Sequence, residues 1–164
     1  MAEAGLVMHE EEFGQITAEL TKLNEAANAK VTFLVDKNGQ LIASAGETQG
    51  LDTTSLASLT AGNIAATGGM AHLLGEKEFS ILFHEGERDN IHITLIGNRA
   101  ILVVVFDHRS SLGLVRLLVK QSAEILAQII DRMTRKGEKE PSTQKAIKSP
   151  FAEITEDDID KLFG

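Results

Sequence analysis

The sequence predicts an α+β domain in which an antiparallel sheet is flanked by helices, and three observations carry that expectation. The hydrophobic periodicities follow the order α-β-β-α-β-β-β-α, which is not the β-α-β-α rhythm of a doubly wound parallel sheet. Tight-turn signals, Asn38-Gly39 and Gly97-Asn98, join successive strands, as hairpins require. One run, AILVVVFD from Ala100 to Asp107, is continuously apolar, which suits a central strand covered on both faces.

In the first helix, Phe13, Ile16, Leu20, Leu23 and Ala27 trace one face of a 3.6-residue period. Glu10, Glu11 and Glu12 sit in its first turn, where the helix dipole favours negative charge. A strand from Val31 to Val35 follows, and Asp36-Lys37-Asn38-Gly39 predicts a type I′ turn into a return strand, Leu41 to Ala45. The second helix lies between Asp52 and Gly75, with Thr53, Thr54 and Ser55 as candidate caps. Three strands come next: Phe79 to His84, Ile91 to Ile96 and the apolar run. In the first of them Phe79, Ile81 and Phe83 alternate onto one face. Ser110 or Ser111 can cap a last long helix, whose buried stripe is predicted as Val115, Leu118, Ser122, Ile125, Ile129 and Met133.

With 164 residues the chain has room for one core and a tail. Composition shifts mark three segments: a folded body over 1–136, a polar linker over 137–149 and an acidic tail over 150–164. The tail carries five acids and one Lys, a net −4 that is half of the chain's −8. An acidic chain without Trp or Tyr offers neither the basic patch nor the stacking platforms of a nucleic-acid binder. No run approaches the ~18 apolar residues of a membrane span, and Met1 opens no basic-then-apolar leader. The chain has no Cys, so thiolate chemistry is excluded and a cytoplasmic location is expected. A protein partner fits this balance best.

Enzymatic motifs are missing. There is no phosphate loop, no nucleophile elbow and no calcium loop beyond a faint trace in Asp36-Lys37-Asn38-Gly39, which reads as a hairpin. His84 and His92, on adjacent strands, are the one pair that could meet over a metal, with Glu85 the only nearby second-shell group. Two strand residues on a polar face explain them more simply. No cofactor and no metal are expected.

Two features exceed a plain reading. On the middle helix, Leu59, Asn63, Ala66, Met70 and Leu73 cluster on one side and are expected to pack on the sheet. The opposite side presents Ala57, Ala61, Ile64, Gly68 and Ala71, with His72 flanking, and is expected to face a partner. Its three interior glycines each cost roughly 0.8–1 kcal/mol relative to Ala, which an isolated surface does not explain. In the tail, Thr155 and Asp158 fit a capping box, and Ile154 with Ile159 a hydrophobic staple. A helix of about nine residues is marginal alone. The tail is therefore expected to fold on a partner groove.

The stretches DKNGQLIASAGETQGLDTTSLASLTAGNIAATGG, FDHRSSLGLVRL and SPFAEITEDDIDKLF closely resemble the bacterial roadblock-domain regulators of small Ras-like GTPases, within the roadblock/dynein light chain family. The likeness runs over essentially the whole chain. It implies a roadblock, profilin-like fold with a five-stranded antiparallel sheet, the middle helix on one face and the terminal helices on the other. It implies a homodimer formed through the middle helix and the edge strand carrying Phe79, Ile81 and Phe83. It implies a GTPase of the MglA type as partner, stimulated to hydrolyse GTP in cell polarity and gliding motility, with concentration at a cell pole. The GTPase-facing residues it implies are Ala57, Ala61, Ile64, Ala65, Gly68 and His72. The matching tail anchors are Phe151, Ile154, Ile159, Leu162 and Phe163. The resemblance implies stimulation without an arginine finger, so no catalytic role is expected of Arg88, Arg99 or Arg109. A dimeric scaffold that binds without stimulating hydrolysis is the alternative; a small-ligand sensor is disfavoured by the absence of convergent polar residues.

Overall fold

A computed structural model describes residues 9–138, with side chains through 136. Its elements are α1 (Glu10–Ala26), β1 (Val31–Asp36), β2 (Leu41–Gly46), α2 (Thr53–Leu73), β3 (Ile81–Glu85), β4 (Asn90–Ile96), β5 (Ala100–Phe106) and α3 (Leu112–Glu138). The sheet runs β2-β1-β5-β4-β3, every pair antiparallel, so the apolar run is the central strand as its composition predicts. α3 takes in Gly137 and Glu138, the first two residues of the expected linker; the rest of that linker and the tail with its five anchors lie outside the described residues.

Period-2 alternation sorts the strand side chains onto two faces. Leu34, Leu102, Val104, Phe106 and Ile96 face α1 and α3, joining Ile16, Leu20, Leu23, Val115, Val119, Leu126 and Met133 in the larger core. Val31, Phe33, Val35, Ile93, Ile101 and Val103 face α2. Two members predicted for the helix stripes fall at their margins: Phe13 is 44% exposed and Ile125 is 38% exposed. Val119, Leu126 and Ile130 take the central line of α3 instead.

Capping also departs from expectation. Asp52, not the following Thr or Ser, caps α2: its carboxylate accepts from Ser55 N–H at 3.0 Å and from Ser55 Oγ at 2.6 Å. At α3, Ser111 Oγ accepts from Leu114 N–H, while Ser110 Oγ donates to the Ala27 carbonyl. The β1–β2 turn is not type I′, which needs positive φ at both central residues. Only Gly39 is positive there (φ 89°). The Asp36 carboxylate accepts from Asn38 N–H and Gln40 N–H, and Gly39 N–H donates to the Asp36 carbonyl, so side-chain bonding replaces the expected backbone geometry.

Candidate functional site

The helix α2 runs 21 residues without a single Asp, Glu, Lys or Arg. Its orientation reverses the sequence expectation. Ala57 is fully buried within the core of Phe33, Val35, Ile93 and Ile101, with Leu56, Ala61 and Ile64 half-buried beside it. Leu59, Met70 and Leu73, expected to pack on the sheet, are 70%, 60% and 86% exposed. The reason lies in the sheet. Its strands already supply the bulky side chains, so the helix comes down on its small ones: a Cβ at Gly39 in the β1–β2 turn would sit 3.2 Å from Ser58 Cα and 3.5 Å from Ala61 Cβ.

The residues proposed for GTPase contact therefore divide. Ala57 belongs to the protomer's own core and is not accessible. Ala61, Ile64 and Gly68 are half-buried, whereas Ala65 and His72 are exposed. Ala61, Ile64 and Gly68 line a cleft of about 320 Å³ with Phe79, Leu95 and Lys77, between α2 and one end of the sheet. A Cβ built at Gly62, Gly68 or Gly69 meets nothing within 4 Å, so the protomer's own packing does not require these glycines. The bulky exposed side of α2 is what sequence reasoning missed. Its signal was present: a helix uncharged all round has no face it must present to water.

The other flank of α2 adjoins the sheet edge, where Asn63 Nδ2 lies 3.1 Å from His84 Nε2. Among the described residues β3 pairs only with β4, and no strand pairs with its outer side. Ile81 and Phe83 share the α1/α3 side of this strand and remain exposed. Phe79 does not share that face. It precedes β3 and lines the α2 cleft instead.

The two strand histidines do not meet. His84 stands opposite Ile91 and His92 opposite Phe83, which puts the imidazoles on opposite faces. Among the described residues no group of three or more His, Asp or Glu could hold a metal, and no helix is long and apolar enough to cross a membrane. Arg109 is held by its neighbours: Nε donates to Asp107 Oδ1 at 3.0 Å, and Nη1 lies 3.5 Å from Glu47. Hydrogen bonds from Arg109 pull the Asp107 carboxyl down to about 2. Arg88 and Arg99 lie in the β3–β4 and β4–β5 turns, so α2 carries no arginine at all.

Residues 16–106 match the Roadblock/LC7 domain. The chain belongs to that family. Among solved roadblock relatives, Myxococcus xanthus MglB is 59% identical, with 78% of this chain and 96% of that chain covered and a TM-score of 0.74. The gliding protein MglB from Thermus thermophilus is 33% identical over 77% of this chain and 96% of its own, at a TM-score of 0.73. An MglB with a tetrameric arrangement is 33% identical over 78% and 96%, at 0.75. Solved profilins share the roadblock fold at low identity, so the profilin-like architecture holds. No curated protein matches the chain.

Proposed function

We propose that this roadblock protein has no active site of its own and acts as a homodimer that stimulates GTP hydrolysis by a small Ras-like GTPase of the MglA type, in the control of cell polarity and gliding motility. The observation that carries this reading is the 59% identity with Myxococcus xanthus MglB over 96% of that chain. The geometry agrees with it. An uncharged helix beside an unpaired strand is an incomplete surface, and a second copy pairing β3 with β3 hides the edge while bringing Leu59, Met70 and Leu73 against a partner. Two α2 helices then form one platform. The GTPase docks on its cleft side, at Ala65, Gly68 and His72 over Ala61 and Ile64. Phe151, Ile154, Ile159, Leu162 and Phe163 of the tail hold it away from the nucleotide.

Phosphoryl transfer needs an oriented water, Mg²⁺ and positive charge near the transferred group. With no arginine on α2, this protein supplies none of these from the docking helix. It acts by holding the GTPase so that the GTPase's own catalytic groups are placed. Single-turnover hydrolysis by the cognate GTPase, with and without the full chain, tests this. Acceleration is expected, and Gly68→Arg, at a position where an added Cβ meets nothing within 4 Å, is expected to abolish it while the unfolding midpoint stays near that of the parent. GTPase binding without acceleration would leave the scaffold alternative. Unchanged acceleration by the Gly68 variant would remove the cleft from the interface.

A further inference from the structure

His92 lies on β4, on the face covered by α1 and α3, and is 1% exposed. The antiparallel register places it between Phe83 on β3 and Val104 on β5. Nδ1 lies 3.2 Å from Thr94 Oγ1, and Nε2 has no hydrogen-bond partner among the described residues. The Phe83 and Phe106 rings stack at a centroid distance of 6.2 Å with an interplanar angle of 24°. Phe106 stands opposite Asn90, one step along the same face from His92, so the two rings meet across β4 beside the imidazole.

We propose that protonation of His92 releases the edge strand β3 from the sheet. A neutral imidazole can leave Nε2 as a bare acceptor, but an imidazolium carries an Nε2–H with no acceptor among the described residues and a buried charge, which is expensive. The groups facing it offer no relief. Burial above all, and then Arg116 of α3, which has the same sign as the imidazolium, hold the His92 pKa below the ordinary 6.5. On this face β5 presents Leu102, Val104 and Phe106, and β4 presents Asn90 and Thr94. On β3 the same face carries Glu85, which stands opposite Asn90 rather than His92. Inward the ring is closed off by α3 and β5. The thinnest cover is Phe83, itself part-exposed on a five-residue strand that is bonded, among the described residues, to one neighbour only. A charged ring reaches water by displacing Phe83, which breaks the Phe83–Phe106 stack and frees the strand.

The sign follows from linkage. Below about 6.5 the open form takes up a proton that the closed form refuses, so opening rises by up to about tenfold per pH unit until the closed form itself titrates. Hydrogen exchange on the full chain between about pH 7.5 and 5.5 reads this directly, as protection corrected for intrinsic exchange. Protection in the β3–β4 ladder is expected to fall with that slope while the β1–β5 ladder holds. His92→Gln and His92→Phe abolish the slope, whereas His84→Gln keeps it, since His84 lies on the other face. A slope that survives in the His92 variants, or none in the parent, overturns the proposal. Should those variants not fold, NMR titration of His92 in the parent decides: an imidazole that titrates while the β3 amides stay unmoved refutes the release. Acid-weakened dimerisation follows only if the β3 pairing proposed above also holds. A protein that is monomeric at every pH would refute that pairing while leaving the measured strand opening intact.

Discussion

One face of the sheet is covered by α1 and α3, the other by α2, and the two layers follow opposite rules. The α1/α3 layer buries Ile16, Leu20 and Leu23 from one helix and Val115, Val119, Leu126 and Met133 from the other. Polar ties stitch the helices together: Ser122 Oγ donates to Glu19 at 2.7 Å, Arg132 donates to Gln15 at 2.7 Å, and Lys136 pairs with the buried Glu12. From α2 only small side chains are completely buried, Ala57 and Ala71, while Leu59, Met70 and Leu73 turn outward. The first layer holds the fold together. The second is held by the sheet and remains available to something else.

The largest expected effect separates the layers by size of substitution. Leu126→Ala removes a fully buried side chain from the α1/α3 core and should lower unfolding free energy by about 2–5 kcal/mol in urea titrations. Leu73→Ser, on the outer side of α2, should change that protomer stability by no more than about 0.5 kcal/mol. The same change should weaken self-association in sedimentation experiments. Equal costs for the two substitutions would mean that α2 is as much a structural layer as α3.

Much of this contrast was legible in the sequence, and the part that was not has a physical reason. Element order could be read because periods of 2 and 3.6 differ, and β5 announced its central place by running Ala100 to Phe106 without a polar residue. The rotation of α2 could not be read from α2 alone. A helical wheel points a helix by contrasting polar and apolar sides, and α2 offers little beyond large against small. The tie is broken by Phe33, Ile93 and Ile101 on the sheet, which take Ala57 into the core with Leu56, Ala61 and Ile64 packed against it. Phe79 was misplaced for a related reason: alternation with Ile81 and Phe83 continues on paper past the point where the strand begins at Ile81. At Asp36 a side chain overrode the turn signal of Asn38-Gly39 by accepting two backbone N–H groups itself. Of the candidate contact residues, Ala65 and His72 are exposed, Ala61, Ile64 and Gly68 are half-buried, and Ala57 went into the core with the rotation of its helix.

Glycines sharpen the comparison at a smaller scale. Gly46 ends β2 at φ 97°, where a Cβ would lie 2.5 Å from the Lys30 carbonyl oxygen and 2.7 Å from Asn24 Nδ2. Gly46→Ala should destabilise by more than about 1 kcal/mol, because both backbone strain and a backbone clash oppose it. Gly62→Ala should do the reverse. The site is open, and helix propensity alone should stabilise the protomer by roughly 0.8–1 kcal/mol. If Gly62 is kept small for a partner, the stabilised variant should bind its partner copy or the GTPase less well. A variant both more stable and equally competent would show that this glycine serves no interface.

The smallest effect concerns Arg109, which sits after β5 rather than on α2. Its guanidinium is committed to Asp107 and Glu47, and the Asp107 carboxyl is held near 2 against an ordinary 3.8. A carboxylate with a depressed pKa adds stability above its unfolded value and loses it as pH falls, here between about 3.8 and 2. Arg109→Ala should return Asp107 toward the ordinary value in an NMR titration and erase that acid-limb contribution. It should leave stimulated GTP hydrolysis within a few-fold, since an arginine paired with two carboxylates is not poised to reach a foreign phosphate. A loss near the ~10³-fold or more that an arginine finger supplies would instead make the β5–α3 turn a catalytic element and α2 merely its support.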